Sequence, residues 1–388
     1  KLKILEDKAR EGQKEKELQE KLDQLEELKQ KMQQMQQQVR LAQKVERDSA
    51  AIEDAVTALL RRASEGGEKA SEVACRAREI GDVKSLNSID LGAPALCGTF
   101  VGTDEDAACV GCLDGSVRFV DFKTGAFRVV GAHDDGAVSA VEYDDATKKL
   151  FTFGWDRTIR AWDLTKDERG RAVSTTKTAG KCYAADLRDG KIFVATSDGQ
   201  VLAYETRDLV RGVDGDDGRR ASEAPPRPLI NRRSSMRFQT RAIAANIRGD
   251  GFVAASVEGR VAVEFIRDEE NDKRKYAFKC HRKTDDASVG EIVYPVHAVA
   301  FHPVHGTFAT GGGDGYVNFW DGDAKKRLFQ SPRYPTSISA LAFSPCGSLL
   351  AIASSYAHEE RENNKPEDRV FLRETRAEEV TPKSAKTS

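Results

Sequence analysis

Few residues of this 388-residue chain have both the type and the spacing for chemistry. Cys109 and Cys112 form a CVGC pair, a spacing found in many zinc sites, but no second pair or nearby histidine completes a tetrahedral set. On a strand, residues three apart point to opposite faces, so two buried thiols are expected here rather than a chelate. His302 and His305 in HPVH have no carboxylate or cysteine at metal spacing. There is no GxSxG elbow, no Walker loop and no Ser/His/Asp order, so the sequence predicts no catalytic site, no metal and no cofactor. Ser222, Ser234 and Ser235 follow basic pairs in RRAS and RRSS. They lie within Arg207 to Ser235, a stretch rich in Arg, Asp, Gly and Pro that reads as a disordered loop open to phosphorylation.

The more telling chemistry is a repeated pair. TFGWDRTIRAWDL (Thr152 to Leu164) places Trp155-Asp156 and Trp162-Asp163 within ten residues. The pattern around it, a small or acidic turn followed by a strand of alternating apolar residues, recurs in six segments whose turn acids are Asp114, Asp156, Asp198, Glu258, Asp314 and Asp368. The first gaps are 42 residues and the later ones 60, 56 and 54. Such a period with Trp-Asp pairs predicts an all-β WD-repeat β-propeller of six recognisable blades, with the longer gaps as inserted loops. Each turn carboxylate would accept local hydrogen bonds and the second indole would pack between blades, so Asp163 and Asp321 read as structural acids.

These strands occupy only part of the chain. Every Phe, Tyr and Trp lies at or beyond Phe100, whereas residues 1–62 are built from helix formers with a heptad series Leu18, Leu25, Met32, Val39 and a companion series Leu28, Met35, Ala42. That span carries 14 Lys/Arg against 13 Asp/Glu, a balanced surface that suits a self-associating or partner-binding coiled coil better than a nucleic-acid arm. The expected order is a long α-helix/coiled coil over 1–62, a polar linker over 63–90, the propeller over 91–376 and a flexible tail over 377–388. A net charge of −2 gives no global field toward nucleic acid or membrane, and seven dispersed cysteines suit a reducing compartment.

Three cations, Arg241, Arg260 and Lys279, fall on strands expected to be successive in one blade, which would gather them at one sheet edge. Clustered cations suit a phosphate or carboxylate. Exposed strand charges paired with Glu258 and Glu264 would give the same spacing.

The runs FQTR, EGRVAVEF, YAFKCHR, GGDGYVNFWD and RYPTSISALAFSPCGSLLAIASSY resemble the Bub-three group of mitotic-checkpoint WD-repeat proteins over about Gly92 to Lys383. FHPVHGT looks more like the related Rae-one mRNA-export factors. The resemblance implies a non-enzymatic spindle-assembly-checkpoint adaptor of the nucleus, at kinetochores in mitosis and also possible in the cytoplasm. Its partners would be the GLEBS motif of Bub-type kinases and phosphothreonine MELT repeats of the kinetochore scaffold, with no membrane or direct nucleic-acid partner. By the same resemblance Trp155 and Arg241 match the GLEBS contacts, and Arg260 and Lys279 match the cations that receive the phosphate, with Arg282 as an auxiliary. The alternative is a Rae-one-like export adaptor holding a nucleoporin GLEBS motif at the nuclear pore.

One departure stands out. The family has seven blades, and Gly92 to Asp121 aligns with the second, so the first has no counterpart. A six-bladed ring, a partial fill by Gly81 to Leu91 and a fused sequence remain open at this point.

Overall fold

The structure, a computed structural model, describes residues 89–102, 106–165, 170–210, 225–284, 290–357 and 368–382. The coiled coil expected over 1–62, and the linker apart from Ile89 and Asp90, lie outside the described residues.

Antiparallel sheets follow one another along the chain. The first is β1 (Ala95–Phe100), β2 (Ala107–Cys112), β3 (Ser116–Asp121) and β4 (Ala126–Ala132), and the second is β5 (Val138–Asp144), β6 (Lys149–Gly154), β7 (Thr158–Trp162) and β8 (Ser174–Lys177). The third is β9 (Cys182–Arg188), β10 (Lys191–Thr196), β11 (Gln200–Glu205) and β12 (Ile230–Arg233), with the short helix α1 (Thr206–Val210) between its last two strands. The fourth is β13 (Thr240–Ala245), β14 (Gly251–Ser256), β15 (Arg260–Phe265) and β16 (Tyr276–Lys279), with α2 (Asp268–Arg274) ahead of β16. A hairpin, β17 (Arg282–Thr284) and β18 (Glu291–Val293), precedes the fifth sheet, β19 (Val296–Phe301), β20 (Phe308–Gly312), β21 (Val317–Asp321) and β22 (Lys326–Gln330). The sixth has three strands, β23 (Ile338–Phe343), β24 (Leu349–Ser354) and β25 (Arg369–Glu374), followed by α3 (Ala377–Val380). These six sheets are the six blades read from the repeat.

Alternation explains the core. Phe151 and Phe153 face the third sheet beside Ile192 and Val194, while Leu150 on the other face joins Cys109, Val117 and Trp162 against the first. The middle strands β6, β10 and β14 are therefore buried on both faces, which a single four-stranded sheet could not manage alone.

The turn acids hold the blades in register. Asp156 accepts from the Thr158 amide at 3.1 Å and its hydroxyl at 2.7 Å, and pairs with Arg160 at 3.0 Å. It also accepts from His133 Nδ1 at 2.8 Å, while His133 Nε2 lies 2.8 Å from the Thr152 hydroxyl and Trp162 Nε1 donates to that hydroxyl at 2.8 Å. Every donor in this buried chain is satisfied when neutral His133 carries its proton on Nδ1. Burial would raise the Asp156 carboxyl, but the bonds from Thr158 and His133 outweigh it and hold the group below its ordinary range. The fifth sheet repeats the arrangement with His281, Asp314, Thr310 and Trp320 at 2.8 to 2.9 Å. The residue after the acid adopts positive φ, as Gly115, Gly199, Gly259 and Gly315 do, with Arg157 in the same place at φ 64°.

Two expectations for loops are corrected. The stretch from Arg207 to Ser235 is only partly loop: α1 opens it and β12 supplies the fourth strand of the third sheet, because Leu209 and Ile230 find apolar partners in the blade cores. Ser234 is buried and its hydroxyl accepts from the Met236 amide, which removes it as an accessible phosphate acceptor, and Ser222 lies outside the described residues. The tail expected from Ala377 begins as the docked helix α3, since Val380 inserts into the core of the last two sheets and Glu379 pairs with Arg373.

The first strands of successive blades pack side by side: β1 on β5, β5 on β9, β9 on β13, β13 on β19 and β19 on β23. Packing of that extent does not recur between β23 and β1 among the described residues. Leu96, Phe127 and Val129 of the first sheet are 46%, 40% and 57% exposed, and Ala340 and Ala342 of β23 are also exposed.

Candidate ligand-binding face

All four expected contact residues lie at the end of the blades that carries the acidic turns. Trp155 heads the β6–β7 turn, its amide bonded to Ala137 O, and its ring is 37% exposed with Lys181 Nζ 5.8 Å from the centroid. Trp162, seven residues on, is 1% exposed and lies so close to Gly131 that a Cβ there would sit 2.2 Å from the indole. One tryptophan of the repeated pair is thus a surface aromatic and the other is core.

In the fourth sheet Thr240 pairs with Ser256, Ser256 with Arg260, and Arg260 with Lys279, so one row across the blade brings these positions together. The three cations are not on successive strands as expected: they occupy the first, third and fourth, with β14 intervening. Clustering survives because antiparallel strands return to the same end. Arg241 is the residue skipped by the register, with Thr240 opposite Ser256 and Ala242 opposite Ala255. That bulge turns its side chain out of the sheet to an exposed position. The same skip falls at Leu96, Ser139, Tyr183, His297 and Ser339, so every blade carries one bulge residue at this end of its first strand.

Both phosphate-type cations rest against carboxylates. Arg260 Nε lies 3.7 Å from Glu258 and Lys279 Nζ 3.6 Å from Glu291. Glu264, the other acid considered from sequence, pairs instead with Arg232 at 3.3 Å. Arg282 is committed to the β14–β15 turn, donating to Glu258 O at 2.8 Å and to Gly259 O at 3.3 Å, and it holds Glu291 at 2.6 Å. Arg282 thus builds the turn beneath the cations. Sequence reading passed over Lys181 and Glu291, whose importance depends on which strand ends adjoin.

The other candidates resolve as structure. Cys109 and Cys112 are fully buried on β2, and burial pushes the Cys109 thiol up to about 12. His302 receives the amides of Val304 at 3.2 Å and His305 at 3.1 Å on Nδ1 and donates to Gly347 O at 3.1 Å, so HPVH is a tight turn fixed by a neutral ring. Burial, and then the neighbouring His305, push His302 down to about 4. Its folded value lies below the unfolded one, so the unfolded chain binds the extra proton. Stability from this group is complete above about pH 6.5 and is lost as pH falls toward 4. We expect the melting temperature to drop across that window, with the His302 ring still neutral by NMR at pH 5.

Six antiparallel blades, two of them carrying Trp-Asp pairs, define a WD-repeat β-propeller. The WD domain, G-beta repeat family matches residues 126–163 and 289–321. The Arabidopsis thaliana mitotic checkpoint protein BUB3.1 is 42% identical over 274 residues, covering 70% of this chain and 75% of that protein. The Caenorhabditis elegans mitotic checkpoint protein bub-3 is 38% identical, with coverage of 75% and 80%. The Schizosaccharomyces pombe poly(A)+ RNA export protein is 32% identical, with coverage of 71% and 74%. The chain belongs to the Bub-three family of mitotic-checkpoint WD-repeat proteins.

Proposed function

We propose that this protein is a non-enzymatic spindle-assembly-checkpoint adaptor whose acidic-turn face holds GLEBS segments of Bub-type kinases through Trp155 and Arg241. The same face takes phosphothreonine repeats of a kinetochore scaffold through Arg260 and Lys279. The observation that carries this reading is the cross-strand pairing of Arg260 with Lys279 at the end of the blade where the bulge displays Arg241. Two guanidinium or ammonium groups on one row offer a phosphate several charge-assisted hydrogen bonds, and an exposed indole beside a third cation suits an acidic peptide with an apolar anchor. Membership of a checkpoint family supports the same role.

The test is isothermal titration of the full chain with a GLEBS peptide from a Bub-type kinase. Binding is expected, and Arg241→Glu should weaken it by about a hundredfold, the effect of replacing one charge-assisted contact by repulsion. A folded chain that does not bind the peptide would mean that the six blades lack part of the platform. Resemblance to RNA-export relatives favours a second reading, in which the GLEBS segment belongs to a nucleoporin. Kinetochore foci in dividing cells support the first and signal at the nuclear rim the second.

A further inference from the structure

Glu291 holds an unusual place for an acid. Its Oε2 accepts from Arg282 at 2.6 Å and lies 3.6 Å from Lys279 Nζ, one of the two cations read above as phosphate ligands. The Glu291 and Lys279 side chains are 43% and 56% exposed, whereas Arg282 is 14% exposed and tied to the β14–β15 turn. Arg282 thus anchors Glu291 from below while Lys279 is free to move. Across the same row Glu258 faces Arg260 at 3.7 Å, so each cation of the pair already has an anionic neighbour before any ligand arrives.

Resting on the phosphate reading of Arg260 and Lys279, we propose that Glu291 is the resident anion of this site and sets the threshold a ligand must pass: it occupies Lys279 until a more highly charged group takes its place. A ligand carboxylate that displaces Glu291 exchanges one singly charged partner for another and gains no net attraction. A phosphate carries a charge of about −1.5 to −2 at neutral pH and three acceptor oxygens, so it bridges Lys279 and Arg260 together and wins the exchange. Glu291 stays ionised throughout, because Arg282 and then Lys279 hold its carboxyl below the ordinary range. Both ligands pay the same cost of displacing Glu291, so the acid lowers affinity for any anion, and only the charge of a phosphate is large enough to overcome it.

The experiment uses three MELT-type peptides that differ only in carrying threonine, phosphothreonine or glutamate, titrated into the full chain and its Glu291→Gln and Glu291→Asp variants. The unaltered chain should bind the phosphopeptide and discriminate against the glutamate peptide. Glu291→Gln should bind the phosphopeptide about tenfold more tightly, because the cost of freeing Lys279 is gone, while the threonine peptide, which brings no anion to Lys279, is unchanged. Glu291→Asp should return the phosphopeptide affinity toward that of the unaltered chain, which a merely structural role would not predict. Unchanged or weaker phosphopeptide binding by Glu291→Gln would overturn the proposal and make Glu291 a support for its cations. If the unaltered chain ignores the phosphopeptide, the phosphate reading itself fails, and this proposal falls with it.

Discussion

Arg260→Glu combined with Lys279→Glu is expected to abolish the proposed phosphothreonine-peptide binding while leaving the fold intact. Each lost charge-assisted hydrogen bond costs about 1.5 to 3 kcal/mol, so losing two removes at least about a hundredfold in affinity, and the reversed charges extend the loss below detection. Stability responds far less. Arg260 is 38% exposed and Lys279 56%, and their partners Glu258 and Glu291 lie 3.7 and 3.6 Å away, which places both ion pairs in the surface class worth about 0 to 1 kcal/mol. The melting temperature should fall by no more than about 4 °C. Titration and circular dichroism on the same preparations check both halves, and a double variant that fails to fold would show that these cations serve the blade and not a ligand.

Trp162→Ala has the opposite signature. The indole is fully buried between the first two sheets, and removing it leaves a cavity that costs about 3 to 5 kcal/mol. It also deprives the Thr152 hydroxyl of the Trp162 Nε1 donor in the chain that runs through His133 to Asp156. A drop in melting temperature of about 6 to 15 °C is expected, read by thermal denaturation. Trp155→Ala is the control, because a half-exposed ring over Lys181 contributes little to the core. It should melt near the parent and lose GLEBS-peptide affinity. Equal destabilisation by the two substitutions would remove Trp155 from the binding face.

The contrast between the tryptophans follows from their places in the repeat. Both precede an aspartate, and both acids take the structural roles that their turns imply: Asp156 binds His133, Thr158 and Arg160, and Asp163 pairs with Lys149 at 2.8 Å. Lys149 and the Thr165 bonds outweigh the effect of burial and hold the Asp163 carboxyl down to about 2. Periodicity alone located these turns, since a four-stranded repeat must place a tight connection at a fixed interval. That the second indole packs between blades was also legible from its place at the end of a strand, and the structure adds the reason, the close approach of Gly131 from the preceding blade.

The sequence by itself determined the repeat, the number of blades, the turn acids and the family, since alternation and turn chemistry are local properties repeated along the chain. It also marked the cations as one group, but it misjudged their order on the strands and left their partners open. The tertiary structure decided the rest. The bulge that displays Arg241, the row that sets Arg260 beside Lys279 and the placing of Glu291 on Arg282 all depend on strand register, a non-local quantity. So does the docking of α3, where a polar tail with one valine found an apolar seat only because two sheets had already formed it. The relation of the sixth blade to the first is of the same kind, since it depends on strands more than two hundred residues apart.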